Sequence, residues 1–194
     1  TFKILTTLEY IRENPNYKSY SYECEGDGIF NSVSIHCYNH KVHGTVSLED
    51  SLAYSCNTSF SNIGTKLDMD ALNKLCGDFL YNKELPYDGY YKKSSYTMTS
   101  KTDKSLIPQT VIGQGETLIT PLHNAMVMCA IANGGVLMKP YMMDRIENCD
   151  GSVVKKILQG FLWQDYILSR STDIDRAYDV GNGIWYSVRL FFRS

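Results

Sequence analysis

Three short stretches of the sequence carry residue types that nucleophilic catalysis uses. A lysine can take a proton from a hydroxyl group when burial or a neighbouring positive charge lowers its pKa enough to leave the amine neutral. A serine that loses its proton is a nucleophile, and an asparagine amide can hold a substrate by hydrogen bonds. Brought together, such residues could support acyl transfer through a serine. They are Lys3, then Ser55 and Asn57, then Gly113, Gln114 and Gly115.

The spacing within two of these stretches supports that chemistry. Thr1-Phe2-Lys3 could close a Ser-x-x-Lys motif whose serine stands just before the first residue. On a helix, side chains three positions apart share a face, with about 5–6 Å between their Cβ atoms. Ser55-Cys56-Asn57 fits a Ser-x-Asn pattern between two predicted helices, which would expose both polar side chains in a cleft. Each pattern alone is typical of a surface lysine or a helix cap, so the catalytic interpretation depends on their order.

That order and the flanking residues resemble the transpeptidase domain of a class B penicillin-binding protein, within the serine D,D-transpeptidase and β-lactamase-like superfamily. The flanking matches are His43-Gly44 before the Ser-x-Asn helix and a Gly-Gln-Gly-Glu-Thr block before Thr120-Pro121. The resemblance covers about residues 1–156, a partial transpeptidase domain. It implies an α+β fold of the β-lactamase/D,D-transpeptidase type, with a helical subdomain and part of an antiparallel sheet.

The resemblance also implies roles for the site residues. Lys3 would activate the serine, Ser55 would help to relay its proton, and Asn57 would hydrogen-bond the substrate amide. The Gly-Gln-Gly segment would bind substrate beside the site, where glycine permits tight backbone turns. No metal and no organic cofactor are implied.

The implied activity is peptidoglycan cross-linking. The serine would attack the D-Ala-D-Ala amide of a stem peptide, release D-alanine and pass the acyl group to an amine of a neighbouring stem peptide. β-Lactam antibiotics would acylate the same serine. The parent protein would be membrane-anchored, act on the extracytoplasmic face of the bacterial cell membrane and work in a cell-wall synthesis complex. A serine β-lactamase, a β-lactam-binding sensor module of the same fold and an inert chain are the alternatives.

One motif of the family has no counterpart in the sequence. A Lys-Thr/Ser-Gly motif should follow the Thr-Pro helix, whereas Lys101-Thr102-Asp103 precedes it and has an aspartate in place of the glycine that lets backbone approach a ligand. We therefore expect a fragment, incomplete at both ends and inactive as given, because the nucleophilic serine and this motif are missing. Such a chain should not label with a fluorescent penicillin.

Helices must position these residues, and the sequence marks where they begin and end. Ile4, Leu8 and Ile11 recur with helical spacing up to Pro15, which cannot continue a helix. Further helix starts are indicated by capping residues and by a proline at the first helical position. These starts are Ser47 with Asp50, Asn57, Asp68, and Thr120 with Pro121.

Loops and hairpins should connect the helices. Residues 16–46 are predicted to be loop with a minor hairpin, and residues 81–111 to be a long polar connection. Asn133-Gly134 should end the Thr-Pro helix, and residues 136–142 and 143–148 should be strands. Asp150-Gly151 should then turn the chain into a hairpin strand over residues 152–156. Residues 157–194 lose both periodicities and form an unassigned tail, for which a reading-frame shift near Lys156 is our hypothesis.

Composition and charge exclude several classes of protein. The 194 residues are 43% hydrophobic and 21% charged, which is typical of a globular domain and not of a disordered chain. Nineteen Lys and Arg against 21 Asp and Glu give a net charge of −2, so no nucleic-acid partner is indicated. No apolar run approaches the ~20 residues that a membrane span needs.

The cysteines allow two structural interpretations. Cys76 and Cys129 lie in apolar helical patterns and should be buried thiols. A disulfide between Cys24 and Cys37 is an open alternative in an oxidising compartment.

Three histidines are closely spaced at His36, His40 and His43. Because no acidic or cysteine partner follows at ligand spacing and the segment is not helical, we interpret them as loop histidines and not as metal ligands.

Overall fold

The structure of the chain is a computed structural model that describes residues 2–87, 89–156 and 161–163. Within these residues the chain has six α-helices and eight short strands, and therefore an α+β architecture. None of the described helices is both long and apolar enough to cross a lipid bilayer.

The first helix, α1, spans Phe2–Glu13. Leu8 and Ile11 lie on its inner face and are fully buried, as their spacing in the sequence predicts. The helix stops before Pro15, whose ring and missing N–H are incompatible with a helix interior. The predicted first helix is therefore confirmed, and it carries Lys3 on its first turn.

Four short strands follow α1: β1 (Tyr22–Cys24), β2 (Asp27–Phe30), β3 (Val33–His36) and β4 (Gly44–Val46). β2 and β3 form the predicted local hairpin, which turns at Asn31 and Ser32 with positive φ angles. β1 and β4 also pair, with Cys24 opposite Gly44. That pairing joins distant parts of the chain, so no local sequence signal indicated it.

Three helices come next: α2 (Leu48–Ala53), α3 (Asn57–Gly64) and α4 (Met69–Asp78). Ser47 and Asp50 form the predicted capping box of α2, and the Asp68 carboxylate caps α4 as predicted. The prediction that Asn57 caps α3 is wrong, because Cys56 occupies the N-cap position and Asn57 is the first helical residue. The Asn57 side chain is therefore free to make contacts outside its own helix.

The Asp68 cap should contribute measurably to stability. Its carboxylate accepts hydrogen bonds from two backbone N–H groups at the start of α4. Asp68→Ala is expected to lower the free energy of unfolding by about 1 kcal/mol, a decrease in Tm of about 2–4 °C. Asp68→Asn keeps a side-chain acceptor and should melt close to the wild type. A thermal melt of Asp68→Ala that superimposes on the wild type would contradict this role.

A long connection leads from α4 towards the last helix. The described residues between 81 and 103, which leave out position 88, contain no helix or strand apart from an isolated bridge between Ser95 and Leu118, as the polar composition of this segment predicts. The predicted connection is too long at its end, because a one-turn helix, α5 (Ile107–Thr110), forms there. Pro108 lies near the start of α5, where its missing N–H costs no hydrogen bond.

The last helix, α6, spans Pro121–Ala132. The Thr120 hydroxyl accepts a hydrogen bond from the His123 N–H, and Gly134 follows the helix with a φ of +64°. The predicted start and end of this helix are both confirmed.

Four short strands follow α6: β5 (Leu137–Met138), β6 (Arg145–Glu147), β7 (Val153–Lys156) and β8 (Phe161–Trp163). β6 and β7 form the predicted antiparallel hairpin around Gly151, and β5 pairs with β8. The tail predicted over residues 157–194 lies outside the described residues except for β8. The boundary at Lys156 stays a prediction.

A large hydrophobic core joins the described helices. Its fully buried members include Phe60, Leu72 and Phe79. Cys76 lies in this core as predicted, whereas the prediction that Cys129 is buried is wrong. Because the middle of α6 is apolar on every face, hydrophobic periodicity could not identify the exposed side on which Cys129 lies.

Candidate active site

The structure brings Lys3, Ser55 and Asn57 together, although more than 50 residues separate the lysine from the other two. The Lys3 Nζ lies 2.9 Å from the Ser55 Oγ, 2.6 Å from the Ser55 carbonyl oxygen and 2.6 Å from the Asn57 Oδ1. All three partners are neutral oxygens, so the ammonium donates to acceptors without forming an ion pair with them. The lysine nitrogen can therefore exchange a proton directly with the serine hydroxyl.

The turn between α2 and α3 places the two polar side chains. Ser55 has a φ of +52°, a backbone region that serine rarely adopts. The Asn57 amide is oriented by a second contact, since its Nδ2 donates to the His36 carbonyl oxygen at 2.8 Å. Ser55 is exposed while Lys3 is only 8% exposed, so the site opens to solvent on the serine side.

Burial changes the protonation of the lysine. Removal of Lys3 from water lowers its pKa from 10.5 to about 8, and the Cys56 and Cys37 thiols oppose this shift in part. The Phe60 ring, whose centroid lies 5.6 Å from the Nζ, contributes to the apolar surroundings and contacts the cation. A substantial fraction of the amine is therefore neutral near physiological pH, as a general base requires.

The Gly-Gln-Gly segment packs against the first turn of α1. Gly113 has a φ of +81°, and a Cβ built on it would lie 2.7 Å from the Phe2 Cβ. The Thr6 hydroxyl donates to the Val111 carbonyl oxygen at 2.7 Å, which attaches the same segment to α1. Gln114 and Gly115 are exposed. The segment thus lies next to the helix turn that holds Lys3, and its substrate-binding role stays a prediction.

Two further side-chain clusters lie close to this site. His36 and His40 each direct Nδ1 at the Asp27 Oδ1, at 2.5 and 2.6 Å. The expectation that no acidic partner accompanies these histidines is wrong, because β2 and β3 pair Asp27 directly with His36. The second cluster contains His43 with three cysteines, so the expectation that no cysteine accompanies the histidines is also wrong. Its members come from four separate segments, and only their types, not their spacing, could have drawn attention to them.

Cys24 and Cys37 are neighbours without a bond between them. Their sulfur atoms are 3.7 Å apart, and both residues are buried free thiols. The disulfide that the sequence left open is therefore not formed in this structure.

The chain is similar to one known protein family and to individual curated proteins. The family described as penicillin binding protein transpeptidase domain matches residues 1–176. Peptidoglycan D,D-transpeptidase PbpA of Mycobacterium tuberculosis (strain CDC 1551 / Oshkosh) is 33% identical over 106 residues, which cover 55% of this chain and 21% of that protein. Stage V sporulation protein D of Bacillus subtilis (strain 168) is 26% identical over 190 residues, covering 92% of this chain and 28% of that protein.

The fold has close counterparts among solved structures. The imipenem acyl-enzyme complex of penicillin-binding protein A from M. tuberculosis matches with a TM-score of 0.80 at 22% sequence identity, over 94% of this chain and 42% of that one. The transpeptidase-type α+β fold predicted from the sequence is therefore confirmed. The chain spans less than half of this structure and less than a third of the two curated relatives.

Proposed function

Because the chain belongs to the penicillin-binding protein transpeptidase domain family, we propose that it is part of a peptidoglycan D,D-transpeptidase that works by serine acyl transfer. The observation that carries the proposal is the convergence of the buried Lys3 amine on the Ser55 hydroxyl and the Asn57 amide oxygen. The neutral amine of a buried lysine supplies the base that serine chemistry needs.

The nucleophile in this proposal is a serine directly before Thr1, one helical turn from Lys3. Lys3 takes the hydroxyl proton as the serine oxygen attacks the substrate carbonyl carbon. The C–N bond then breaks, the proton passes to the leaving nitrogen, and an acyl-enzyme remains. Ser55, hydrogen-bonded to the Lys3 Nζ, relays the proton in this step. A second amine then attacks the acyl carbon, its own proton passes through Lys3 to the serine oxygen as the acyl–oxygen bond breaks, and the free serine hydroxyl is restored.

Asn57 and the Gly-Gln-Gly segment position the substrate in this proposal. The contact with the His36 carbonyl oxygen fixes the Asn57 amide, so that its polar atoms can orient a substrate amide at the edge of the cleft. Gly113 places backbone close to Phe2 in the first turn of α1, and an extended peptide would lie along the exposed residues Gln114 and Gly115.

The proposed substrate is a peptidoglycan stem peptide ending in D-Ala-D-Ala, and the proposed inhibitors are β-lactams. PbpA of M. tuberculosis is a peptidoglycan D,D-transpeptidase by name, and penicillin-binding protein A of that organism forms an acyl-enzyme with imipenem. The site of action in this proposal is the outer face of the bacterial cell membrane, within a cell-wall synthesis complex.

Covalent labelling tests the proposal. The longest natural chain that contains residues 1–194 is incubated with a fluorescent penicillin, next to a matched protein in which alanine replaces the residue before Thr1. We expect one stable label per chain in the first protein and none in the second. Equal labelling of both would overturn the proposed nucleophile, and rapid loss of the label with turnover would identify a β-lactamase instead.

The pH dependence of acylation should follow Lys3. Only the neutral amine acts as a base, so the acylation rate should rise with pH through about 8, where burial places the pKa of Lys3. The thiols of Cys37 and Cys56 are the titratable groups that oppose this shift. Quenched time courses of acylation between pH 6 and 9.5 measure how the acylation rate depends on pH. A rate independent of pH over this range would contradict the role of Lys3.

The same pKa shift predicts an effect on stability. Because the pKa of Lys3 is lower in the folded state than in the unfolded chain, the unfolded state binds more protons between about pH 8 and 10.5. The free energy of unfolding should therefore gain a contribution from Lys3 as the pH rises through this window. Urea titrations at pH 8 and 10 compare the wild type with Lys3→Met, in which this contribution should disappear.

A further inference from the structure

Three cysteine sulfurs and a histidine nitrogen meet in a buried cluster beside the candidate active site. The Cys37 Sγ lies 3.7 Å from the Cys24 Sγ and 3.7 Å from the Cys56 Sγ, and the His43 Nδ1 lies 3.3 Å from the Cys24 Sγ. All four atoms lie within 4.8 Å of one another. The four possible ligand atoms are therefore close enough together to share one metal ion.

The two sulfur–sulfur separations and the one sulfur–nitrogen separation given above are close to the edges of a tetrahedral metal site. Zinc bonds of about 2.3 Å to sulfur and about 2.0–2.1 Å to nitrogen place the sulfurs about 3.8 Å apart and sulfur and nitrogen about 3.5 Å apart. A disulfide needs about 2.05 Å between two sulfurs and would leave the third thiol without a partner. The observed separations are thus those of shared coordination, and three sulfurs with one imidazole are a common ligand set of structural zinc.

We propose that Cys24, Cys37, His43 and Cys56 bind one Zn²⁺ ion in a structural site of the Cys₃His type. The metal ligands come from the end of β1, the residue after β3, the residue before β4 and the N-cap of α3. Binding releases the thiol protons and joins these four segments at one point.

The surroundings of the cluster are those of a closed site. Cys24 and Cys56 are fully buried and Cys37 is 3% exposed, so among these four described residues His43, which is half-buried, is the one that solvent reaches. The His43 ring stacks on Tyr54, with centroids 5.6 Å apart and planes 8° from parallel. Four protein ligands without an open position are typical of structural rather than catalytic zinc.

A second layer of contacts orients the ligands. The Thr58 hydroxyl donates to the Cys24 Sγ at 3.2 Å and lies 3.4 Å from the Cys56 Sγ. Gly26 has a φ of +90° and leaves space for the His40 carbonyl oxygen, which a Cβ at this position would overlap. Partners of this kind tune the affinity of metal sites.

The position of Cys56 connects this site to the proposed chemistry. Cys56 is the middle residue of the Ser55-Cys56-Asn57 tripeptide, whose outer two residues both contact the Lys3 Nζ. A metal on Cys56 would hold the tripeptide against β1 and β3. Cys56 and its co-ligands are positioning residues in this inference, and none of them touches the reacting atoms.

Metal analysis of the full natural chain tests the inference. Protein produced with added Zn²⁺ and dialysed without chelator should contain about one zinc per chain by mass spectrometry of the elements. Cys24→Ser and Cys37→Ser should each lose at least nine-tenths of this zinc. The matched controls Cys129→Ser and Cys149→Ser, both at exposed thiols, should keep it. Zinc content that is negligible in the wild type, or equal in all five proteins, would overturn the inference.

Cobalt spectroscopy tests the site in the wild-type protein, so its result does not depend on whether a substituted protein folds. Co²⁺ in this site should show thiolate charge-transfer bands and the intense visible bands of a tetrahedral ion. A weak octahedral spectrum, or an intact mass lower by two hydrogen atoms, which reveals a disulfide, would contradict the site. These readouts do not depend on acylation, so they can fail while the proposed transpeptidase activity stands.

Thr58→Val provides a graded test. It keeps the shape of the side chain but removes the hydroxyl that donates to the Cys24 sulfur. We expect about 10–100-fold weaker zinc binding in a competition with a chromophoric chelator. The exposed substitution His36→Ala, in the neighbouring Asp27 cluster, should leave the affinity unchanged. If His36→Ala weakened zinc binding more than Thr58→Val, the metal would belong to the cluster of Asp27, His36 and His40, and the inference would be wrong.

Discussion

Lys3→Met should slow acylation by a fluorescent penicillin by about 10²–10⁴-fold, the usual contribution of a positioned general base. Methionine is similar in length and suits the apolar surroundings near Phe60, but it cannot accept a proton. The Ser55 Oγ would lose its hydrogen bond to the Lys3 Nζ, 2.9 Å away, and the proton could no longer pass between these two atoms. Rates of label incorporation in the full natural chain measure the effect.

A surface substitution controls for nonspecific loss of activity. Lys66 is exposed and lies beyond the C-terminal end of α3, whereas Asn57 is at the start of that helix, so Lys66→Met should label at the wild-type rate. Thermal melts of both variants verify that they are folded. If folded Lys3→Met labels as fast as the wild type, Lys3 is not the base, and the proposed mechanism fails with it.

Gly113→Ala should be among the most damaging single substitutions near the site. The residue has a φ of +81°, which costs a residue with a Cβ about 1–2 kcal/mol. Its new Cβ would also lie 2.7 Å from the Phe2 Cβ, an atom next to the backbone that cannot rotate away. We expect the free energy of unfolding to fall by about 3 kcal/mol in total, within the range of overpacked sites.

Gly115→Ala is the matched control for this substitution. Gly115 has a similar φ of +71°, but the nearest atom to its Cβ would be the Thr110 Oγ1 at 3.8 Å. The free energy of unfolding of Gly115→Ala should therefore fall only by the backbone contribution of about 1–2 kcal/mol. Urea unfolding of both variants separates the two contributions. If Gly113→Ala and Gly115→Ala lowered the free energy of unfolding equally, the close approach to Phe2 would not contribute to the destabilisation.

Local signals predicted most of the secondary structure. The capping box at Ser47, the Asp68 cap and the Thr120-Pro121 start act within one turn of helix, so each is readable from neighbouring residues. The turn at Gly151 is equally local. Where the prediction was wrong, at Asn57 and Cys129, the local pattern allowed two arrangements and tertiary packing selected one of them.

The sequence by itself determined most of the helix limits, the α+β class and the order of motifs that indicated the family. The tertiary structure decided which side chains meet. Lys3 reaches Ser55 and Asn57 because α1 packs beside the turn before α3, and the distances of this contact have no counterpart in the spacing along the chain. The cluster that contains His43 depends in the same way on pairing between β1 and β4. Contacts between distant segments result from burying a shared core, which no short stretch of sequence encodes alone.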